Sequence, residues 1–188
     1  RGDEFISSTP NYLSLYEALE IERPEFVTLP PILGEAGTKK LGKRDGAKDI
    51  LDYKKEGYLS EAMLNFLAFL GWNPGGGDNR EIMSVEEIMN SFALEHIQKA
   101  GAKFNEEKLN WINKEHIKLL PKEEIEKNIL EQLPDDIKNP KLVPIILERI
   151  SKWGDVKTMA DGGEFDLFSK MPEYEKSKLI YKNTSPEK

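Results

Sequence analysis

Cysteine is absent from this chain of 188 residues, and histidine occurs only twice, as His96 and His116. The first absence excludes disulfides, thiolate catalysis and zinc sites built on cysteine. The second leaves no compact histidine-rich metal site, because the two residues lie far apart in the sequence. We therefore predict no protein-held metal in this chain, and we expect both histidines to be packed or surface residues.

A long apolar run is also missing. The strongest one, AMLNFLAFLGW at 62–72, contains Asn65 and falls short of the roughly 20 residues that span a bilayer. It predicts a buried helix, and we expect no membrane partner. Hydrophobic residues make up 38% of the chain and charged residues 32%, a balance typical of a globular protein with at least one core.

Helix signals dominate what is present. Gly57 and Gly71 are typical helix terminators, and Ser84 with Glu87 forms a capping box. The segment 26–33 is extended and apolar, and its two prolines limit any strand pairing. We predict a mainly α chain with a small α/β portion. The expected helices are 9–19, 49–56, 60–71, 85–92, 106–120, 122–133, 141–153, 155–168 and 174–182.

The three tryptophans could stack on nucleic-acid bases. Trp72, Trp111 and Trp153 each lie on or beside an apolar helical face, however, so the pattern favours packing in the core.

A cluster of cations stands out because the whole chain carries a formal charge of −7. Four of the six residues at 39–44 are basic: Lys39, Lys40, Lys43 and Arg44. Flanking glycines indicate an exposed loop, and such a loop can bind phosphate through ammonium groups and backbone N–H groups. It is not a Walker loop, because Lys39 stands where the second glycine is required. The alternative is a solvated turn that only favours solubility.

The stretch KLGKR at 40–44 resembles the Lys-Met-Ser-Lys-Ser signature of class I aminoacyl-tRNA synthetases, which commonly reads Lys-Leu-Ser-Lys-Arg in the glutamyl-tRNA synthetases. Other segments are similar to that family in the same order. They are RGDEFISSTPNYLSLYEAL at 1–19, LPPILG at 29–34, GYLSEAMLNFLAFLGW at 57–72 and SFALEHIQKAGAKFNEEKLNWINKEHIK at 91–118. The resemblance extends to about residue 119, and more weakly to about 182.

The resemblance implies activation of glutamate by ATP with Mg²⁺, release of pyrophosphate and transfer of the acyl group to tRNA. Lys43 would be catalytic, stabilising the negative charge of the departing pyrophosphate. The implied ATP-binding residues are Lys40, Leu41, Gly42, Lys43 and Arg44. Gly42 stands where the family usually has serine, which puts the efficiency of activation in question. Arg44 would contact ATP or pair with Asp45 or Asp49.

The implied substrate-binding residues are Arg1, which would pair with a carboxylate of the amino acid, and Phe5, which would line the same pocket. Neighbouring Asp3 and Glu4 could be mistaken for a pair of acid/base carboxylates. On the strand expected here their side chains would point in opposite directions, so we interpret them as structural.

The resemblance also implies a domain organisation. Residues 1–36 would end a Rossmann-type catalytic domain, 37–118 would hold the lysine loop and the stem-contact region, and 119–188 would begin a helical anticodon-binding region. The family's His-Ile-Gly-His type motif does not occur in the sequence. We therefore expect a portion of a longer cytoplasmic, monomeric ligase, inactive on its own.

Two alternatives stay open at this point. One is a non-catalytic tRNA-binding or regulatory paralogue, which Gly42 would suit. The other is a family member that acts on glutamine or on a modified tRNA base.

Overall fold

The computed structural model describes residues 1–42, 44 and 47–169. The predicted catalytic Lys43 and the helix predicted at 174–182 lie outside the described residues. Two compact units divide the chain, residues 1–120 and residues 121–188. The predicted mainly α fold is confirmed by the order of helices: α1 Thr9–Ala18, α2 Ile50–Glu56, α3 Ser60–Gly71, α4 Val85–Ser91, α5 Glu106–Leu119, α6 Lys122–Gln132, α7 Val143–Leu147, α8 Gly154–Asp161 and α9 Asp166–Ser169. None of these described helices has the length and apolar character needed to cross a membrane.

The core of the first unit lies where α3 packs on α5. Phe66 of α3 is buried and meets the half-buried Phe104 edge to face, with the ring centroids 5.1 Å apart. The other buried members of this cluster are Tyr53, Tyr58, Ala62, Met63, Leu70, Leu109 and Ile112. This confirms the predicted buried helix at 62–72, and burial of so much apolar surface is the main force that holds the unit together.

Two helix ends in the first unit, at Gly57 and at Ser84, match the predicted signals, and side chains cap two more. Asp49 caps α2 by accepting a hydrogen bond from the Leu51 N–H at 2.9 Å, and Gly57 ends that helix with φ of 89°. Ser84 and Glu87 form the predicted capping box at the start of α4. Asn105 caps α5 through the Lys108 N–H, at 2.8 Å. These contacts satisfy backbone groups that a helix leaves unpaired at its ends.

The start of the chain differs from the strand that its sequence predicted. Asp3–Phe5 forms a 3₁₀ turn, so the expectation that Asp3 and Glu4 point to opposite faces of a strand is wrong. Across the described residues, β-pairing is limited to four isolated bridges: Gly2 with Leu29, Leu33 with Lys40, Leu33 with Lys103, and Trp72 with Ile97. Pro30 and Pro31 lack the N–H groups that a longer ladder would need.

The second unit begins at Pro121 and has its own core. One helix was predicted at 141–153, but the structure has a 3₁₀ turn at Pro140–Leu142, the short α7, and then a new start at Gly154. The carboxylate of Asp155 accepts hydrogen bonds from the Ser151 and Lys152 N–H groups, at 2.7 and 3.1 Å, which stabilises the break. Buried residues of this unit are Ile125, Ile129, Leu133, Ile137, Leu142, Ile146, Ile150, Val156, Met159 and Phe165.

The tryptophans do not share one environment. Trp72 is 3% exposed and packs in the core, as predicted, whereas Trp153 is only half-buried. The prediction for Trp111 is wrong, because its ring is 41% exposed on α5. The two positions that flank it in the helix, Asn110 and Ile112, face inward instead.

Candidate functional site

Arg1 and Phe5, the two predicted substrate-binding residues, line one pocket. Its volume is about 260 Å³, and Tyr12 and Tyr16 of α1 complete its lining. The 3₁₀ turn at Asp3–Phe5 brings Phe5 back beside Arg1, and α1 follows directly. Sequence reasoning missed both tyrosines, although their spacing of four residues on a predicted helix places them on one face.

Three groups fix the guanidinium of Arg1. Its central carbon lies 4.4 Å from the centroid of the Phe26 ring and 5.2 Å from that of Tyr12. Nη1 donates to the Thr9 hydroxyl oxygen, at 3.3 Å. The backbone nitrogen of Arg1 also donates to the Val27 carbonyl, at 2.8 Å. A planar cation stacked on aromatic faces keeps its charge and loses little freedom when it binds a carboxylate.

The lysine loop begins from a backbone pairing that fixes its first residues. The Leu41 N–H donates to the Ile32 carbonyl at 2.8 Å, and the Gly34 N–H donates to the Lys39 carbonyl at 2.9 Å. The Gly42 carbonyl then accepts from the Ala47 N–H, at 3.2 Å. The positions of Lys40, Leu41 and Gly42 are therefore set by the segment that precedes the loop.

The predicted ATP-binding residues differ in their surroundings. Leu41 is half-buried and lines a cavity of about 150 Å³ with Tyr53 and Phe104, so it attaches the loop to the core. Arg44 is exposed. Its predicted alternative partner Asp45 lies outside the described residues, as does Lys43, and the Asp49 carboxylate caps α2.

Lys40 has a partner that sequence reasoning did not foresee. Its Nζ donates to Oε1 of Glu4, at 2.9 Å, and both side chains are about half exposed. The hydrogen bond from Lys40 lowers the pKa of the Glu4 carboxyl, and the bond to Glu4 raises the pKa of Lys40. Glu4 adjoins Phe5 in the sequence, so one ion pair joins the turn beside the pocket to the lysine loop.

The other end of the loop is fixed by Lys48. Its Nζ lies 2.9 Å from carboxylate oxygens of both Glu56 and Glu106, and 5.3 Å from the centroid of the Tyr53 ring. The hydrogen bonds to Glu56 and then Glu106 strongly raise the pKa of Lys48. This cation links the end of the loop to α2 and α5.

Exposed cations and one aromatic ring lie further along the first unit. On α5, Nζ of Lys108 lies 4.6 Å from the centroid of the exposed Trp111 ring and also pairs with Glu81.

Within the described parts of the chain, no three acidic or histidine side chains lie close enough together to hold a metal ion.

The geometry thus brings together Arg1 with Phe5, and separately Lys40 with Leu41 and Gly42. Comparisons of the whole chain with known proteins identify its family. The sequence model of a family described as tRNA synthetases class I (E and Q), catalytic domain, matches residues 1–111.

Two relatives are glutamate–tRNA ligases. That of Chloroherpeton thalassium is 44% identical over 138 residues, which cover 73% of this chain and 27% of the relative. That of Clostridium kluyveri is 36% identical over 189 aligned positions, which cover 97% of this chain and 37% of the relative. The chain therefore spans about a quarter to two fifths of the length of the relatives it matches.

Two solved structures that are similar to this chain are also glutamate–tRNA ligases or synthetases. A glutamate–tRNA ligase from Elizabethkingia meningosepticum, in complex with its amino acid, has a TM-score of 0.75 and 34% identity, and the match covers 97% of this chain and 40% of that one. A glutamate–tRNA synthetase from Elizabethkingia anophelis has a TM-score of 0.74 with the same identity, covering 95% and 40%. By the match over more than half of its residues, the chain belongs to the class I glutamyl- and glutaminyl-tRNA synthetase family.

Proposed function

We propose that this chain is the portion of an ATP-dependent glutamate–tRNA ligase that carries the signature lysine loop and part of the amino-acid pocket. The longer protein activates glutamate with ATP, releases pyrophosphate and transfers the acyl group to the terminal ribose of tRNA. The pairing of residues 32–34 with 39–41 is the observation that carries this proposal. It holds the exposed Lys40 at the start of the signature sequence. The relatives are ligases, so the alternative of a non-catalytic paralogue is not favoured.

The loop would stabilise the negative charge that develops on the triphosphate of ATP. As a carboxylate oxygen of glutamate bonds to the α-phosphorus of ATP, the bond from that phosphorus to the bridging oxygen breaks. Negative charge then grows on the leaving pyrophosphate, which Mg²⁺ would help to neutralise. Cations that meet this charge in the transition state accelerate the step, whereas equal binding of ATP before and after it would not. We assign most of this transition-state stabilisation to Lys43. Lys40, the Gly42 backbone and Arg44 would contact the ATP phosphates. Leu41 keeps the loop attached to the core.

The pocket beside Arg1 suits an amino acid with a carboxylate side chain. The guanidinium supplies a planar pair of donors, and Phe5, Tyr12 and Tyr16 supply an apolar and aromatic wall. A relative with 34% identity was solved in complex with its amino acid, which supports amino-acid binding by the longer protein.

We assign tRNA contacts to the part of the first unit beyond the loop, as residues 37–118 would hold the lysine loop and then the stem-contact region. Exposed or half-buried cations there are suited to phosphate oxygens: Lys99, Lys103, Lys108 and Lys114. Residues 119–188 would begin the anticodon-binding region. The ligase would act in the cytoplasm as a monomer.

The test is glutamate-dependent exchange of pyrophosphate into ATP by the longer protein, with and without tRNA. Lys43→Ala should lower the exchange rate by about 100-fold or more, the usual cost of losing one transition-state contact. Lys39→Ala removes a cation from the same loop but outside the signature, so its rate should stay within a few-fold of the parent's. Undiminished exchange in Lys43→Ala, or no exchange by the parent under either condition, would contradict the proposal. Residues 1–188 alone should show no exchange, because they contain no His-Ile-Gly-His type motif.

A further inference from the structure

Lys40, the first lysine of the signature, forms an ion pair with Glu4 of the same chain. Oε1 of Glu4 lies 2.9 Å from the Lys40 ammonium. An ammonium has three donors, so this pair uses one of them and places a full negative charge beside the other two. An incoming triphosphate therefore meets a neutralised lysine and a repelling carboxylate.

The backbone around the pair is fixed on both sides. The Leu29 N–H donates to the Arg1 carbonyl at 2.8 Å, and Gly2 is bridged to Leu29. Lys40 is bridged to Leu33 in the same segment. The segments that carry Glu4 and Lys40 are thus both paired with the backbone of residues 29–34.

Gly2 makes room for the carboxylate. A Cβ atom built on Gly2 would lie 2.1 Å from Oε2 and 2.7 Å from Cδ of Glu4. Only glycine lets the Glu4 side chain fold back over the backbone in this way. The clash would involve the end of a flexible side chain, so an alanine here would displace the carboxylate and leave the fold intact.

We propose that Glu4 is an internal counter-ion of Lys40, which a triphosphate must displace before the first signature lysine can serve it. This inference rests on the proposed function for its ligand, ATP. It assigns to Glu4 a role through Lys40: Glu4 holds the ammonium beside the amino-acid pocket in the ligand-free protein and releases it to the phosphates. Exposed ion pairs are weak, which suits a contact that has to be exchanged.

The experiment measures binding of inorganic tripolyphosphate to the 188-residue chain at low ionic strength, followed by NMR signals of the first unit. Tripolyphosphate has no base or ribose, so it reports on the phosphate contacts alone. Glu4→Gln should tighten binding about two- to fivefold, the range that exposed ion pairs span. Asp3→Asn removes a charge from the neighbouring residue, which acts on Lys40 through space without the hydrogen bond that Glu4 accepts. It should tighten binding less than twofold.

Two further variants separate the ion pair from a general effect of charge. Gly2→Ala keeps every charge and displaces the Glu4 carboxylate, so it should tighten binding as Glu4→Gln does. In a Lys40→Met background, Glu4→Gln should tighten binding less than twofold, because only the general repulsion by the carboxylate is removed and the ion pair is already gone. Circular dichroism and the dispersion of the NMR spectrum check that each variant is folded.

Tighter binding by Glu4→Gln and Gly2→Ala, with the Glu4→Gln gain reduced to under twofold in the Lys40→Met background, supports the proposal. Equal or weaker binding by Glu4→Gln, the same gain with and without Lys40, or no binding by any variant overturns it. Pyrophosphate exchange by the longer protein tests the proposed function separately, and it can succeed while the counter-ion role fails.

Discussion

Asn65 is the residue whose removal should test the packing of the first unit most sharply. Its side chain is fully buried in α3. Oδ1 accepts from the Met83 N–H at 3.0 Å and lies 2.9 Å from Nε2 of His116. Because an amide oxygen can only accept, the imidazole must carry its proton on Nε2. One oxygen thus joins α3 to the segment before α4 and to α5.

The magnitude follows from what Asn65→Leu would leave behind. Leucine has the same branched shape and a larger volume, so no cavity is created, but the buried Met83 N–H and the His116 N–H both lose their acceptor. Each unsatisfied buried donor costs about 1–3 kcal/mol. The Nδ2 group of Asn65 is itself buried without a partner in the described structure, and its removal offsets about 1 kcal/mol. We expect a net loss of about 1–5 kcal/mol from the first unit.

The assay should report on the first unit alone, since the chain has two. Denaturant unfolding followed by the indole NMR signal of Trp72 does so, and hydrogen exchange at the Met83 amide reads the lost bond directly. Asn65→Asp is the matched control: it keeps the acceptor oxygen and places a carboxylate against His116, so its loss should be smaller at pH 6 than at pH 8. A change under about 1 kcal/mol for Asn65→Leu, with Met83 protection intact, would refute the reasoning.

Three other predictions concern the same unit. Burial lowers the pKa of His116 below its usual 6.5, so the unfolded chain binds the proton more readily than the folded chain. The stability of the first unit should therefore fall as the pH drops below about 6.5, and His116→Gln should flatten that dependence in urea titrations. Lys48→Met removes two partly exposed ion pairs, which solvent screens, and should cost on the order of 1 kcal/mol in urea unfolding and less in 1 M salt. Lys55→Met, at a more exposed pair, should have no measurable effect on unfolding, and equal losses for the two variants would contradict the assignment. Gly57→Ala forces a side chain into φ of 89° and should cost about 1 kcal/mol in thermal unfolding, whereas Gly71→Ala, where an added Cβ meets nothing within 4 Å, should not destabilise.

Helices were predictable because their signals are local. The capping box at Ser84 and Glu87 and the terminator Gly57 act within a few residues of themselves, so the sequence there contains the whole cause. The helix predicted at 141–153 failed for a related reason: the Asp155 carboxylate turns back to the Ser151 and Lys152 N–H groups, which competes with continuation of the helix.

The site was less predictable, since its contacts join distant segments. The motif at 40–44 indicated a loop, but nothing in it indicates that Glu4 pairs with Lys40 or that Phe26 stacks on Arg1. Trp111 lies next to buried positions on an amphipathic helix, and only the packed structure shows that its ring faces outward. The roles assigned to the site residues stay predictions.

The short pairing around Leu33 explains how so little β structure can position a site. The Leu33 N–H donates to the Ala102 carbonyl and its carbonyl accepts from the Phe104 N–H, both at 2.8 Å, while its other neighbour is Lys40. Gly101 permits this approach, because a Cβ there would lie 2.7 Å from the Pro31 carbonyl oxygen. A larger residue at 101 would therefore push on backbone, which cannot yield as a side chain does. The placement of the lysine loop consequently depends on residues far downstream in the sequence, and a motif search limited to the loop cannot detect what holds it.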